Sequence, residues 1–168
     1  QIVIRRAGFV DQAPEEIVLD EQGNRLASAV VSAGEEIGLE ELQRMVSTLD
    51  GLRRLTISFR FGSGSAELDA QSRSNVEYLA SRLEQGDFDA RRLLFVGFSD
   101  GDGPAEINRI IALDRAEAVR RAVQEAAVTL DTDRVQLDVD AFGEAMPIAC
   151  DDTIWGQNAN RRVEVWVR

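Results

Sequence analysis

At 168 residues, 44% hydrophobic and 29% charged, the chain can bury a core and fits one domain with an addition, or two small domains. It has no His, and all 19 basic residues are Arg, so the usual general base, the commonest transition-metal ligand, a Schiff-base or P-loop lysine and a Ser-Lys dyad are all missing. A lone cysteine, Cys150, excludes an internal disulfide and a thiolate zinc cluster, and a net charge of −11 argues against a nucleic-acid partner.

No apolar run approaches the roughly 20 residues that span a bilayer, so no transmembrane segment is expected in this chain. The sequence opens on Gln1 without a basic-then-apolar leader and is expected to be a processed or excised piece of something longer. Acidity is uneven: residues 1–50 hold ten Asp/Glu against four Arg, the remainder twenty against fifteen, which sets the first fifty apart.

In chain order, Ile2-Val3-Ile4 with Phe9-Val10 reads as a strand that Pro14-Glu15-Glu16 interrupts. The following "LDEQGNRLASAVVSAGEE" has no period that assigns it an element. Residues 35–49 put Ile37, Leu39, Leu42, Met45, Val46 and Leu49 on one face of an amphipathic helix. Leu55, Ile57, Phe59 and Phe61 then alternate with Thr56, Ser58 and Arg60, the pattern of a half-buried strand. After the loop "GSGSAE", Asp69 is a candidate N-cap for a helix that aligns Val76, Leu79, Ala80 and Leu83.

The run "LLFVGF" is apolar on both faces and suits a central strand. Ala112, Ala116, Val119, Val123 and Ala126 mark a second helix, and Val135, Leu137, Val139 and Ala141 alternate again. A loop containing Cys150-Asp151-Asp152 leads to a last strand with Val163, Val165 and Val167 on one face and Glu164 and Trp166 on the other. Helical crossovers between the first three strands predict an α+β fold, a mixed sheet with helices packed on it. Residues 1–53 are expected to form an N-terminal extension of one strand and one helix, and residues 54–168 the main domain.

Gly97-Phe98-Ser99-Asp100-Gly101 fits the G-x-S-x-G elbow of serine hydrolases. That elbow needs a His later in the chain, and none exists; the turn through Pro104 is also too long for it. Ser99 is therefore not expected to be a nucleophile. A calcium loop opening on Asp100 and Asp102 fails because its third ligand falls on Pro104 and its twelfth on Ile111. No catalytic residue, metal or cofactor is expected, and the chain is read as a non-enzyme.

Past the turn, Asp100 is followed at fixed steps by Gly103, Asn108, Ile111 and Arg115-Ala116, and the chain closes with Gly156 and Asn160-Arg161-Arg162-Val163-Glu164. With "FGSGSAEL" and "AFGEAMP", these motifs resemble the OmpA C-terminal-like domain over about residues 54–168. The resemblance implies a β-α-β-α-β-β mixed sheet and noncovalent binding of peptidoglycan through the diaminopimelate of its stem peptide. It implies ligand-binding roles for Asp100, which would accept from the ligand's ammonium, and for Arg115, which would take the carboxylate with its planar fork. Asn108 and Arg161 carry over as helpers. The implied setting is the periplasm of a Gram-negative cell, in association with the outer membrane or cell wall. "RRAGFVDQ" faintly resembles the end of phosphate-type periplasmic solute-binding domains, which implies a longer exported parent.

The family pattern also raises a geometric expectation. On one straight helix from Pro104, Arg115 would lie about 16 Å along the axis, too far to share a small zwitterion with Asp100. A break near 108–112 is therefore expected, with the long helix starting just before Arg115. The family usually has Ser where this chain has Ala112, so the cap on such a start is weaker by ~1 kcal/mol. Phe98 replaces a His or Tyr, losing a polar group but keeping a ring. Arg162 is read as structural, Trp155 and Trp166 as packing residues rather than sugar platforms, and Cys150 as buried or incidental. The alternative function is an OmpA-like fold kept as a protein-interaction or dimerisation module with a decayed wall pocket. The oligomeric state is left open.

Overall fold

The computed structural model describes residues 2–6, 15–19, 25–30 and 39–168. Its strands are β1 (Ile2–Arg6), β2 (Glu15–Leu19), β3 (Arg25–Val30), β4 (Arg53–Arg60), β5 (Arg92–Phe98), β6 (Gln136–Gly143) and β7 (Arg162–Val167). Its helices are α1 (Leu39–Leu49), α2 (Ala70–Glu84), α3 (Ala105–Ala126) and α4 (Ile154–Asn160). The result is the expected α+β fold with a mixed sheet.

β4 to β7 make a four-stranded sheet in the order β4-β7-β5-β6. Only β5 and β6 run parallel, joined by the α3 crossover; β7 is antiparallel to both β4 and β5. Because β5 is central, its side chains are buried on both faces. Leu93 and Phe95 join Val76, Leu79 and Leu83 of α2 and Ala116, Val119 and Val123 of α3 in one core. Leu94, Val96 and Phe98 face the other way, onto Met45 and Leu49 of α1. The predicted apolar stripe of α1 thus covers the second face of the sheet.

Local chemistry sets the element ends. Asp69 caps α2, its Oδ1 accepting from the Ser72 amide at 2.7 Å. Pro104 stands before the first turn of α3, whose missing N–H costs nothing there. Thr153 caps α4 by accepting from the Gly156 amide at 3.0 Å, which turns part of the expected loop into a short helix.

Three expectations need correction. Residues 2–30 hold three strands among the described residues rather than one, paired antiparallel in the order β1-β2-β3, and β2 begins at Glu15, inside the stretch read as a break. Phe9 and Val10, and the start of the helix at residues 35–38, lie outside the described residues. Most consequential, α3 has no break near 108–112: it is continuous from Ala105 to Ala126, and Ala112 is fully buried at mid-helix rather than standing at a cap.

Candidate functional site

The site forms where β5 ends. Gly97 lies directly under α3: a Cβ there would stand 1.9 Å from the carbonyl oxygen of Ala112. The helix therefore rests its middle, not its start, on the end of the strand. Nearer its start, α3 passes the end of β6, where a Cβ on Gly143 would stand 3.4 Å from the Arg109 backbone, and the loop from Ser99 to Pro104 leads into its first turn. This is why no helix break is needed: Asp100, three residues past Gly97, stays at the sheet's end, close enough to Arg115 to favour its charged form.

The four carried-over residues are all buried, with Asp100 at 9%, Asn108 at 3%, Arg115 at 1% and Arg161 at 4% exposure. Arg115 is held from the loop before α2: its Nε donates to the Ser65 carbonyl and its Nη2 to the Gly62 carbonyl, each at 3.0 Å. Its guanidinium carbon lies 5.4 Å from the centre of the Phe61 ring. Nη1 makes no hydrogen bond among the described residues. Burial lowers the pKa of Arg115, the Asp100 charge opposes that shift, and the Arg161 charge adds to it.

Arg161 pairs with Asp100 through Nη1, binds the Asn158 side-chain oxygen through Nη2, and reaches the Phe61 carbonyl from Nε at 3.4 Å. Asp100 thus has one carboxylate oxygen on Arg161, and its charge is also felt by Arg115. Asn108 acts on the loop rather than on the charged cluster: its Nδ2 donates to Glu144 Oε2 at 2.9 Å and reaches the Gly103 carbonyl at 3.4 Å, tying α3 to the turn after Asp100 and to the chain after β6. The structure therefore brings Asp100, Arg115 and Arg161 together and gives Asn108 a supporting contact.

Several participants were not singled out from the sequence. Asp151 accepts from the Gly101 amide at 2.8 Å through Oδ2 and from Asn160 Nδ2 at 2.7 Å through Oδ1, so the "CDD" segment clamps the turn after Asp100. Asn160 also accepts the Ile148 and Ala149 amides, at 2.8 and 3.1 Å. Trp155, expected to pack, is 85% exposed. It borders a cavity of about 460 Å³ shared with Phe61, Gly62 and Asn158, the groups that hold Arg115 and Arg161. A loop residue flanked by Asp, Thr and Gly was the only sequence signal for that exposure.

The remaining expectations divide. Trp166 is half-buried and packs beside Leu94 and Val96, its Nε1 donating to Glu164 at 3.2 Å. Arg162 is buried, its guanidinium 3.8 Å over the Phe98 ring and its Nε 2.8 Å from Glu164 Oε1. Burial lowers its pKa, with Glu164 opposing. Phe98 thus uses its ring to support a structural cation. Cys150 is exposed rather than buried. Ser99 is buried, and its Oγ has no hydrogen-bond partner among the described residues.

Chemically, two guanidinium groups near one carboxylate form a buried cluster with a net positive charge. Residues 60–161 match the OmpA family. A probable lipoprotein, YiaD, from Escherichia coli (strain K12) is 28% identical over 105 residues, covering 62% of this chain and 45% of that protein. The chain thus spans less than half the length of that relative. Among solved structures, the peptidoglycan-associated lipoprotein of Burkholderia pseudomallei superposes with a TM-score of 0.58 at 25% identity, covering 69% of this chain and 91% of that one. The C-terminal domain of Helicobacter pylori MotB shares the fold with a TM-score of 0.56 at 19% identity, covering 68% of this chain and 85% of its own. With the family match spanning residues 60–161 and the mixed sheet in place, the chain belongs to the OmpA family.

Proposed function

We propose that the chain is a noncatalytic cell-wall-binding module of the periplasm that recognises the diaminopimelate of peptidoglycan. One observation carries the reading: a continuous α3 brings buried Arg115 beside Asp100, with Nη1 of Arg115 not engaged among the described residues. The free end of diaminopimelate holds an ammonium and a carboxylate on one carbon. The carboxylate would take Arg115 Nη1, and the ammonium would bind the Asp100 oxygen not used by Arg161. Arg161 orients Asp100, and Asn108 holds α3 against Glu144. The name of the Burkholderia relative supports the same partner. Residues 54–168 would carry this activity, and residues 1–53 would join it to the rest of an exported protein.

The exposed Ile154 and Trp155 favour a second reading, a protein-docking module on the same fold. Co-sedimentation with purified sacculi separates the two. Binding to diaminopimelate-type but not lysine-type sacculi, lost in Asp100→Asn, is the expected result. A folded protein that binds neither kind would overturn the wall-binding reading.

A further inference from the structure

At the other end of the sheet lies a second charged feature. β5 runs from Arg92 to Phe98, so its beginning is ~20 Å from Asp100. There a cavity of about 360 Å³ opens between β4 and α2. Its lining holds Arg53, Arg54, Arg82 and Arg91 against a single acid, Asp87, with the Arg54 guanidinium turned to Glu164 outside the lining. The whole chain carries −11, so this concentration runs against its average.

The acids nearby neutralise it only in part. Asp87 is taken by Arg82 in an ion pair. Arg54 reaches Glu164 at 3.1 Å, but Glu164 already accepts from buried Arg162 at 2.8 Å. Arg91 has only a 3.4 Å contact to the Arg168 carbonyl, and Arg53 forms no side-chain hydrogen bond or ion pair among the described residues. The floor is apolar, with Leu55, Ile57 and Phe88. It is also shaped by a bulge: β4–β7 pairing steps from Arg54↔Trp166 to Ser58↔Glu164, so the strand leaves register where it enters the cavity.

Two guanidinium groups without an acid partner among the described residues, those of Arg53 and Arg91, beside an apolar floor match one ligand chemistry, a phosphate group carried on an apolar body. We propose that this cavity is an anion site for phosphate esters, separate from the Asp100 pocket and independent of its function. A soluble phosphate ester and the headgroup of an anionic phospholipid both present that chemistry.

The test titrates the intact chain at low ionic strength with inorganic pyrophosphate. In parallel it is sedimented with phosphatidylglycerol–phosphatidylcholine vesicles and with vesicles of phosphatidylcholine alone. Amide shifts confined to the cavity lining (residues 53–57, 78, 82, 87, 88, 91 and 167), and binding weakened at least tenfold in Arg53→Gln/Arg91→Gln, are expected for at least one probe. The charge-matched control Arg73→Gln/Arg121→Gln should bind like the parent. Pyrophosphate binding alone identifies a soluble ligand, and vesicle binding alone identifies a lipid. Equal weakening in both double variants, shifts elsewhere, or no binding to either probe would overturn the site. The four substituted residues are exposed, so folding is preserved, and the shift map of the unmodified protein needs no variant.

Discussion

Ala112 rests its carbonyl oxygen where a side chain on Gly97 would begin, 1.9 Å from the position of a Cβ. The closeness of helix and strand at this point sets the reach of Arg115 toward Asp100. Gly97→Ala must push α3 away from β5. Overpacking of this kind costs about 1–3 kcal/mol. Urea unfolding should show that loss, and sacculus binding should fall further than stability alone accounts for.

Arg115 is as much a structural residue as a ligand group. Arg115→Ala would remove the two hydrogen bonds that tie the loop carbonyls of Gly62 and Ser65 to α3, at about 1 kcal/mol each because water can reach that loop. Arg115→Lys keeps the charge but not the fork. It should retain most of the stability by thermal melting while losing most binding to diaminopimelate-type sacculi.

Ser99→Ala removes a buried hydroxyl that has no partner among the described residues. Deleting such a group is expected to be neutral or stabilising by up to about 1 kcal/mol, because no hydrogen bond is lost. Thermal melting checks this, and a marked loss of stability would mean the hydroxyl is engaged.

Glu41 on α1 accepts both Arg44 Nε and Nη2, at 3.1 and 3.0 Å, while Arg44 Nη1 reaches Asp140 of β6 at 3.0 Å. The hydrogen bond from Arg44 holds the Glu41 pKa below the ordinary glutamate range, against a smaller opposing effect of burial. A carboxylate depressed in the folded state stabilises above its unfolded pKa, and that contribution fades as pH falls through the folded value. Acid should therefore loosen the α1 contact, and Glu41→Gln should flatten the stability profile in that window. Both partners are about one-third exposed, so the effect is below about 1 kcal/mol.

Trp155, at 85% exposure, should tolerate Trp155→Ala with a stability change within about 0.5 kcal/mol. Its emission should be that of a hydrated indole, with the half-buried Trp166 supplying a bluer component. Since it borders the cavity that adjoins the Arg161 and Arg115 contacts, soluble muropeptide should shift or quench it. An unchanged spectrum at saturation would remove Trp155 from the ligand's surroundings.

The central parts of the fold were legible because their physics is local. Alternation at Leu55–Phe61, the unbroken "LLFVGF" run and the Asp69 cap each announce their element within a few residues. β2 and β3 were not legible, since their stretch mixes acids, small residues and Gly without a period. The error over α3 came from treating the helix start as the point nearest Asp100. Where a helix crosses a strand depends on a contact such as Gly97 with Ala112, fifteen residues apart in the sequence. Asp100 and Arg115 came from motif spacing, whereas the carbonyls that seat Arg115 are backbone groups of a loop and leave no side-chain signature.

The strand order carries one more consequence, for biosynthesis. β7, last of the sheet strands in the sequence, lies between β4 and β5 rather than at an edge. Until Arg162–Val167 has been made, β4 has no neighbour in the sheet and the flank of β5 stays open. The nascent chain must therefore keep apolar, strand-forming segments unpaired from the making of β4 to that of β7, a period of exposure in which a holdase has a target. Closure is then a single late event dominated by distant contacts, which favours slow folding for a domain of this size.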